Sequence, residues 1–302
     1  MPLHLAAQGY TAEAFNALYT PIEEGIDAAA GLYWDDPEVS VPVGFDFPLF
    51  GVPISTLSLY NLGDMLIVPD ISGGAMAIWP LSLDVSDLAI ANDSLVSTLH
   101  YATTGNAPNR IFTFEWSNVG FYNEVNEGIF ESSANWQVVL YEADGAIEFR
   151  FGGSAIQNLE ALSDGFLTSG LFQVDDLNSS TGEFFLGSGE PNSPMFASYS
   201  DFYTVYYGGS NLTGMPVDGQ VYRFTPVTNG IASTTPKEFA LFPNPIRSGL
   251  VTLSSGDMDV LDSQGRLVLS LNSNERTFDV SGWNAGVYLV TDGINTARLL
   301  VQ

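Results

Sequence analysis

Residues 136–152, WQVVLYEADGAIEFRFG, constrain the fold of this 302-residue chain more than any other segment. Two runs in which every second residue is apolar flank the dipeptide Asp144-Gly145. Such alternation predicts strands, and Asp-Gly is a preferred turn of β-hairpins. The residues that share the apolar face are Trp136, Val138, Leu140, Ile147, Phe149 and Phe151. The segment therefore predicts a hairpin with one buried face, the core of an antiparallel sheet.

The turn also predicts a register for this hairpin. If the chain reverses at Asp144-Gly145, Leu140 pairs with Phe149 and Val138 with Phe151. Glu148 and Arg150 then point away from the apolar face, as exposed strand charges do.

Other segments also favour strands. Phe112, Phe114 and Trp116 alternate along one strand and share a face. Prolines at positions 37, 42 and 48 exclude a helix there and are typical of edge strands or strand starts. Residues 11–18 are compatible with a helical turn or with an extended start. We therefore predict an all-β chain: a large, jelly-roll-like antiparallel β-sandwich followed by a smaller β-sandwich.

The amino-acid composition excludes several classes of site and partner. There is no cysteine, so neither disulfides nor thiolate metal sites are available. The formal net charge is −27, and residues 1–236 hold 28 acidic but only 3 basic side chains. Such a surface repels nucleic acid and anionic lipid, so we expect no nucleic-acid partner. No run approaches the roughly 18 apolar residues of a membrane span, and we expect no transmembrane segment.

The last part of the chain, residues 239–302, contains short strands joined by turns and several distinctive motifs. They are FPNP at 242–245, DSQGR at 262–266, DVSGWNAGVYLV at 279–290 and ARLLVQ at 297–302. In order and spacing these motifs resemble the C-terminal sorting domain of proteins exported by the type IX secretion system of Bacteroidetes. Trp283 stands where that family has a smaller or aliphatic residue.

The resemblance implies an immunoglobulin-like β-sandwich that the outer-membrane translocon reads and that a sortase-like cysteine protease often removes. It implies a cell-surface or extracellular location, reached through the periplasm. The residues that would carry the sorting signal are Pro243, Asn244, Pro245, Asp262, Gly265, Arg266, Gly286, Tyr288 and Arg298.

Residues 34–151 resemble a second family, the nidogen-like extracellular β-sandwich domains. The likeness lies in GFDFPLFG at 44–51, SLYNLGDMLIV at 58–68 and the hairpin at 136–152. It implies an extracellular sandwich without catalytic residues.

These observations predict four segments. Residues 1–8 are interpreted as the end of a signal peptide, because Leu5, Ala6 and Ala7 precede Gln8 in a pattern typical of a signal-peptidase site. Residues 9–226 form the cargo domain, 227–238 a linker and 239–302 the sorting domain.

Two features of the cargo domain suggest binding sites. The aromatic residues at 199, 202, 203, 206 and 207 are predicted on a strand, half of them in the core and half able to stack on sugars. Asp35 and Asp36 either form half of a calcium site or lie in a solvated turn. Calcium is the one cofactor that the sequence leaves open.

Catalysis has little support in the sequence. The two histidines, at positions 4 and 100, are far apart, which argues against a His-assisted nucleophile or a multi-histidine zinc site. Glu115 and Glu148 are the remaining candidates for a carboxylate pair. We therefore predict an exported, non-catalytic protein acting in adhesion, glycan binding or extracellular assembly. The alternative is a secreted carbohydrate-active enzyme of jelly-roll-like fold that uses these strand carboxylates.

Overall fold

The computed structural model describes residues 9–60, 62–69, 74–174, 176, 180–208, 211–227, 241–253, 258–272, 276–291 and 296–302. The chain divides into two compact units, Met1–Thr228 and Asn229–Gln302. Both units consist mainly of antiparallel strands, which confirms the all-β prediction. The predicted signal-peptide end at 1–8 and residues 228–238 of the predicted linker lie outside the described residues.

The first unit contains two large sheets, with strands numbered in chain order. The first sheet consists of β1 (Tyr10–Asn16), β2 (Ile26–Asp27), β7 (Val85–Ser86), β8 (Thr98–Thr104), β9 (Ile111–Phe121), β10 (Ala134–Tyr141), β11 (Ile147–Phe151) and β15 (Gln220–Pro226). Its order is β1-β15-β11-β10-β9-β8-β2, with β7 also paired to β9. Strand β1 settles the reading of residues 11–18 in favour of an extended start.

The second sheet lies against the first and shares a core with it. It consists of β3 (Val39–Leu49), β4 (Val52–Tyr60), β5 (Met65–Pro69), β6 (Ala75–Trp79), β12 (Gly170–Val174), β13 (Thr181–Ser188) and β14 (Met195–Asp201). Its order is β14-β13-β12-β6-β5-β4-β3. Pro42 and Pro48 lie in β3, an edge strand, as predicted.

Short helices join some of these strands. They are a 3-10 helix (Leu88–Ile90), α1 (Tyr122–Val125), α2 (Leu159–Ser163) and α3 (Phe202–Gly208). None of the helices in the described part of the chain is long and apolar enough to cross a membrane.

The hairpin of β10 and β11 has the predicted faces but a different register. Leu140 pairs with Ile147 and Val138 with Phe149, so the predicted register is wrong by two residues. Tyr141 N–H donates to the Ala146 carbonyl, which leaves four residues in the loop instead of two. A two-residue type I′ turn needs positive φ at both of its central positions, and only Gly145 has it here. Because the shift is even, every side chain stays on its predicted face.

The core between the sheets is a layer of aromatic side chains. Phe112, Phe114 and Trp116 are fully buried on one face of β9, as predicted. Trp116 stacks on Trp136 of β10 with ring centroids 5.7 Å apart. The Trp116 indole N–H donates to the Gly63 carbonyl across the sandwich at 2.7 Å, which ties the turn between β4 and β5 to the first sheet.

The second unit has two smaller antiparallel sheets around its own apolar core. One contains β16 (Leu241–Phe242), β17 (Leu250–Leu253) and β20 (Thr277–Asp279). The other contains β18 (Met258–Leu261), β19 (Leu267–Leu271), β21 (Gly286–Thr291) and β22 (Thr296–Val301). Residues of both sheets are buried together, among them Val251, Val260, Val290 and Leu299.

Close approach of strands in the second sheet predicts the effect of a substitution at Gly170. A Cβ at Gly170 would overlap the Phe185 carbonyl oxygen and lie 2.9 Å from Leu186 Cα. We therefore expect Gly170→Ala to lower the free energy of unfolding by about 1–3 kcal/mol, the usual effect of overpacking. Urea unfolding followed by tryptophan fluorescence measures this.

Gly153→Ala is the matched control, because a Cβ at Gly153 meets no heavy atom within 4 Å. The control should stay within about 0.5 kcal/mol of wild type. Equal midpoints for the two variants would contradict this packing of β12 against β13.

Candidate functional site

The predicted sorting residues lie at two places in the second unit. At the first, Asn244 connects the segment after β16 to β22. Its side-chain amide donates to the Arg298 carbonyl at 2.6 Å and accepts from Leu300 N–H at 3.0 Å. Pro243 and Pro245 flank it, and both follow cis peptide bonds. The FPNP motif thus positions an asparagine that bonds to the backbone of the last strand.

Gly286, Tyr288 and Arg298 lie near this contact, on β21 and β22. The Tyr288 hydroxyl donates to the Asn284 carbonyl at 2.9 Å, and its ring packs against Trp283 at 4.7 Å. Trp283, the departure from the family pattern, is therefore a partly buried neighbour of the core. Arg298 is exposed on the strand that pairs with β21.

The other sorting residues form the turn between β18 and β19. The Asp262 carboxylate accepts from the backbone N–H groups of Gln264 and Arg266 and from the Arg266 guanidinium. These bonds, the one from Arg266 N–H first, lower the pKa of Asp262. Gly265 has φ +77°, as the turn requires. One group joins the FPNP segment to the last two strands and the other forms a turn, and their role in sorting stays a prediction.

Glu115 and Glu148, the candidate catalytic carboxylates, are engaged in other contacts. Glu115 is buried and accepts from the Tyr19 hydroxyl at 2.7 Å, Ile22 N–H at 3.0 Å and the Gln137 amide at 2.7 Å. These contacts hold the N-terminal segment against the outer face of the first sheet. Glu115 has few free lone pairs with which to bind or protonate a substrate.

Glu148 is buried too, so its interpretation as an exposed strand charge is wrong. It accepts from the Tyr141 hydroxyl, Arg150 and Arg223 at 2.7–2.8 Å. Burial raises the pKa of Glu148, but these hydrogen bonds and the arginine charges outweigh burial, and the pKa lies below its ordinary value.

A cleft that the sequence did not reveal lies on the outer face of the second sheet. Its cavity volume is about 570 Å³, within the usual range for small-ligand sites. We call it the aromatic cleft, defined by Tyr60, Trp79, Phe166, Phe202, Tyr203 and Tyr206, with Asp64 and Asp84 as its carboxylate end.

The aromatic cleft exists because the middle strands of the second sheet are apolar on both faces. Leu66, Ile78 and Leu171 point into the core between the sheets. Their neighbours Ile67, Trp79 and Phe172 point outward and form a second apolar cluster with Phe166. The runs MLIV and AMAIW therefore lack the alternation that marks a half-exposed strand.

One wall of the aromatic cleft is α3, where a strand was predicted. That prediction is wrong: Phe202 packs near Tyr206 and Tyr203 near Tyr207, pairs four residues apart that share a helical face. The Asp201 carboxylate accepts from Thr204 N–H at the start of the helix. Phe202 and Tyr206 lie 5.7 and 5.0 Å from the Phe166 ring.

The carboxylate end contains two acids, Asp64 and Asp84, whose pKa values are strongly raised. Asp64 has no exposed surface, and its Oδ2 accepts from the Trp79 indole N–H at 2.5 Å. Its Oδ1, like the buried Oδ1 of Asp84, has no hydrogen-bond partner among the described residues. Burial raises the pKa of Asp64 to about 8, and the charges of Asp84 and Asp36 add to the effect. Burial raises the pKa of Asp84 to about 7, with Asp36, Asp35 and Asp164 as further causes.

Two acids identified from the sequence lie next to the carboxylate end of the cleft. Asp35 and Asp36, the predicted half of a calcium site, lie with Asp84 so that one oxygen of each falls within 4.8 Å of the others. Three such oxygens are at most half of the six to eight that Ca²⁺ takes, so calcium stays a prediction. Asp64 and Asp84 were missed, although each is an acid next to an apolar run, a pattern that marks a buried polar residue.

Two models of known protein families match the chain. A model described as NIDO related matches residues 9–226, and one described as secretion system C-terminal sorting domain matches residues 240–299. Both predicted resemblances are confirmed, the first over more of the chain than the predicted 34–151. Comparison with curated proteins found no match, and neither did comparison with solved structures.

Asp64 predicts a pH dependence of stability. In the folded state the carboxyl group of Asp64 has a pKa of about 8, whereas the pKa of an aspartate in an unfolded chain is about 3.9. The folded chain therefore binds more protons between these values, and its stability falls as the pH rises through them. Asp64→Asn keeps the shape and an acceptor for Trp79 but cannot ionise. We expect the variant to gain on the order of 4 kcal/mol relative to wild type between pH 5 and 8, measured by urea unfolding.

The control for this experiment is Asp93→Asn, which changes an exposed acid outside the cleft. It should follow the wild-type curve across the pH range. An Asp64→Asn curve parallel to wild type would show that the Asp64 proton does not differ between the folded and unfolded states.

Proposed function

Because the chain belongs to the NIDO-related family and carries a secretion-system C-terminal sorting domain, we propose that it is an exported, non-catalytic binding protein that holds an extracellular glycan in the aromatic cleft. The sorting domain identifies it as a substrate of type IX secretion and assigns it to the cell surface or the extracellular space. The proposal adds the ligand and the cleft in which it binds.

The observation that carries the proposal is the row of exposed tyrosines at the rim of the aromatic cleft. Tyr60, Tyr203 and Tyr206 are 40, 57 and 39% exposed and border the same cavity. A tyrosine ring offers a rigid apolar face and a hydroxyl at its edge. This combination suits a pyranose, which has C–H groups on one face and hydroxyls around its edge.

The carboxylate end supports a polar ligand rather than a purely apolar one. A protonated carboxyl group donates one hydrogen bond and can accept others, and the hydroxyl groups of a sugar do both. Two buried oxygens without partners among the described residues, one on Asp64 and one on Asp84, leave hydrogen-bonding capacity at the end of the cleft. A glycan fits both features: its ring faces contact the tyrosines, and its edge groups reach the acids.

Glycan binding connects to adhesion and to extracellular assembly. A glycan-binding protein at the cell surface can attach the cell to a polysaccharide or join two surfaces. Neither role requires catalysis. For release or anchoring, the proposal includes a sortase-like protease that cuts between the two units. No observation supports the enzyme alternative. Glu115 and Glu148 are hydrogen-bonded to other residues of the first unit and do not line the aromatic cleft.

The rim tyrosines provide a test of glycan binding. We expect Tyr203→Ala to weaken binding of the glycan selected on an array by roughly 2–10-fold, because one stacking ring is lost. Isothermal titration of the full chain measures the change. Tyr33→Ala is the matched control, since Tyr33 is 62% exposed and lies outside the cleft, and it should bind as wild type does. Binding that survives Tyr203→Ala unchanged, or no array binding by wild type, would refute the proposed site.

Export is tested separately in the native host. A chain lacking residues 240–302 should stay inside the cell envelope, because the translocon has no sorting domain to read. Immunoblots of medium and surface fractions, with intact mass of the exported wild type, measure this. The full chain with Gly153→Ala serves as the control for expression. A mass that ends within residues 227–238 would support cleavage, and a mass that includes Gln302 would argue against it.

A further inference from the structure

The first unit contains almost no positive charge, and each of its arginines forms an ion pair with a carboxylate. Residues 9–227 include three basic side chains, Arg110, Arg150 and Arg223. Arg110 pairs with Glu142 at 2.5 Å, and Arg150 pairs with Glu148 at 2.8 Å. Arg223 bridges Asp144 and Glu148 at 2.5 and 2.7 Å. None of them lines the aromatic cleft, and neither does His100, which lies in β8 of the first sheet.

The carboxylate end therefore concentrates acids without a resident counter-charge. Asp64 is fully buried, and Asp84 has a buried oxygen without a partner among the described residues. Asp35 and Asp36 approach Asp84 from the exposed side, and Asp164 lies on the cleft rim. Burying an unpaired carboxylate is costly, and a cation that reaches these oxygens recovers much of that cost.

The walls next to these acids also favour a cation. Trp79 and Phe166 are 6.1 Å apart, and Tyr206 is 5.0 Å from Phe166, so three ring systems lie together in the wall of the cleft. Aromatic faces attract cations, most strongly when the site is shielded from water. The Trp79 indole N–H, a donor that a neutral ligand could use, is already bonded to Asp64.

We propose that the glycan bound in the aromatic cleft carries a protonated amino group, as a de-N-acetylated amino sugar does. The inference rests on the proposed function and names the class of its ligand. Because the pKa values of Asp64 and Asp84 are raised to about 8 and 7, both acids are protonated in the empty cleft near pH 6.5, and they release these protons to water as the ammonium binds. The ammonium group then donates hydrogen bonds to their free oxygens, and the sugar ring stacks on the rim tyrosines. An ammonium fits better than a bare metal ion, because the aromatic walls offer few of the oxygens that Ca²⁺ requires.

Three β-1,4-linked tetrasaccharides test the inference, since they differ only at carbon 2. They are cellotetraose with hydroxyl groups, chitotetraose with N-acetyl groups and the glucosamine tetramer with ammonium groups. Titrated calorimetrically into the full chain near pH 6.5, the glucosamine tetramer should bind at least 10-fold more tightly than the other two. Asp64→Asn with Asp84→Asn should abolish this preference, so that all three tetramers bind the variant within about 2-fold of one another.

The outcomes separate the two proposals. Equal affinity of wild type for all three tetramers would overturn the amino-group inference and leave glycan binding intact. Binding of none of them, together with a negative array, would overturn both. Asp93→Asn is the control and should keep the wild-type preference. If CaCl₂ alone raises the melting temperature and displaces the glucosamine tetramer, the acids bind a metal ion, and the inference is wrong.

Discussion

The hydrogen bond from the Trp116 indole to the Gly63 carbonyl joins the core of the first unit to its cleft. Trp116 belongs to the aromatic layer of the first sheet, and Gly63 precedes Asp64 in the turn between β4 and β5. Gly63 has φ +71°, and a Cβ there would meet Val85 and Pro37 at 3.1–3.2 Å. The turn that presents Asp64 is therefore held from one side by an indole and from the other by close packing. In a chain without cysteine, a buried hydrogen bond and close packing hold this turn in place of a disulfide.

The second sheet is buried on both faces, and this property produces the cleft. Its inner face packs on the aromatic layer, whereas its outer face is covered in part by α3 and by the segment around Phe166. The cover is incomplete, so rings that would otherwise belong to a second core line a cavity. Acids at the end of that cavity are desolvated by the same rings, which is why the pKa values of Asp64 and Asp84 are raised.

The few positive charges of the first unit are all paired with acidic side chains. The first unit uses each of its arginines to satisfy a glutamate or aspartate on the first sheet or beside it, and Glu148 receives two of them. Arg110 also donates to the Gly44 carbonyl at the edge of the second sheet, but none of the three arginines lines the aromatic cleft. The sorting unit, by contrast, uses Arg266 to brace a turn and leaves Arg298 exposed on its last strand. The acidic cleft and the export signal thus belong to two units with different electrostatics.

Local sequence patterns were enough to predict the strand character of the chain, the faces of the central hairpin and the sorting motifs. These properties depend on residues close together in the chain, where alternation, turn residues and motif spacing can be read directly. Short segments were less secure: residues 202–207 were predicted as a strand, and their packing on Phe166 in the folded unit shows a helix. The tertiary structure alone decided the hairpin register, the burial of Glu115 and Glu148, and the meeting of Asp84 with Asp35 and Asp36. Such contacts join residues far apart in sequence, and the order of strands within and between sheets, which local spacing does not encode, brings them together.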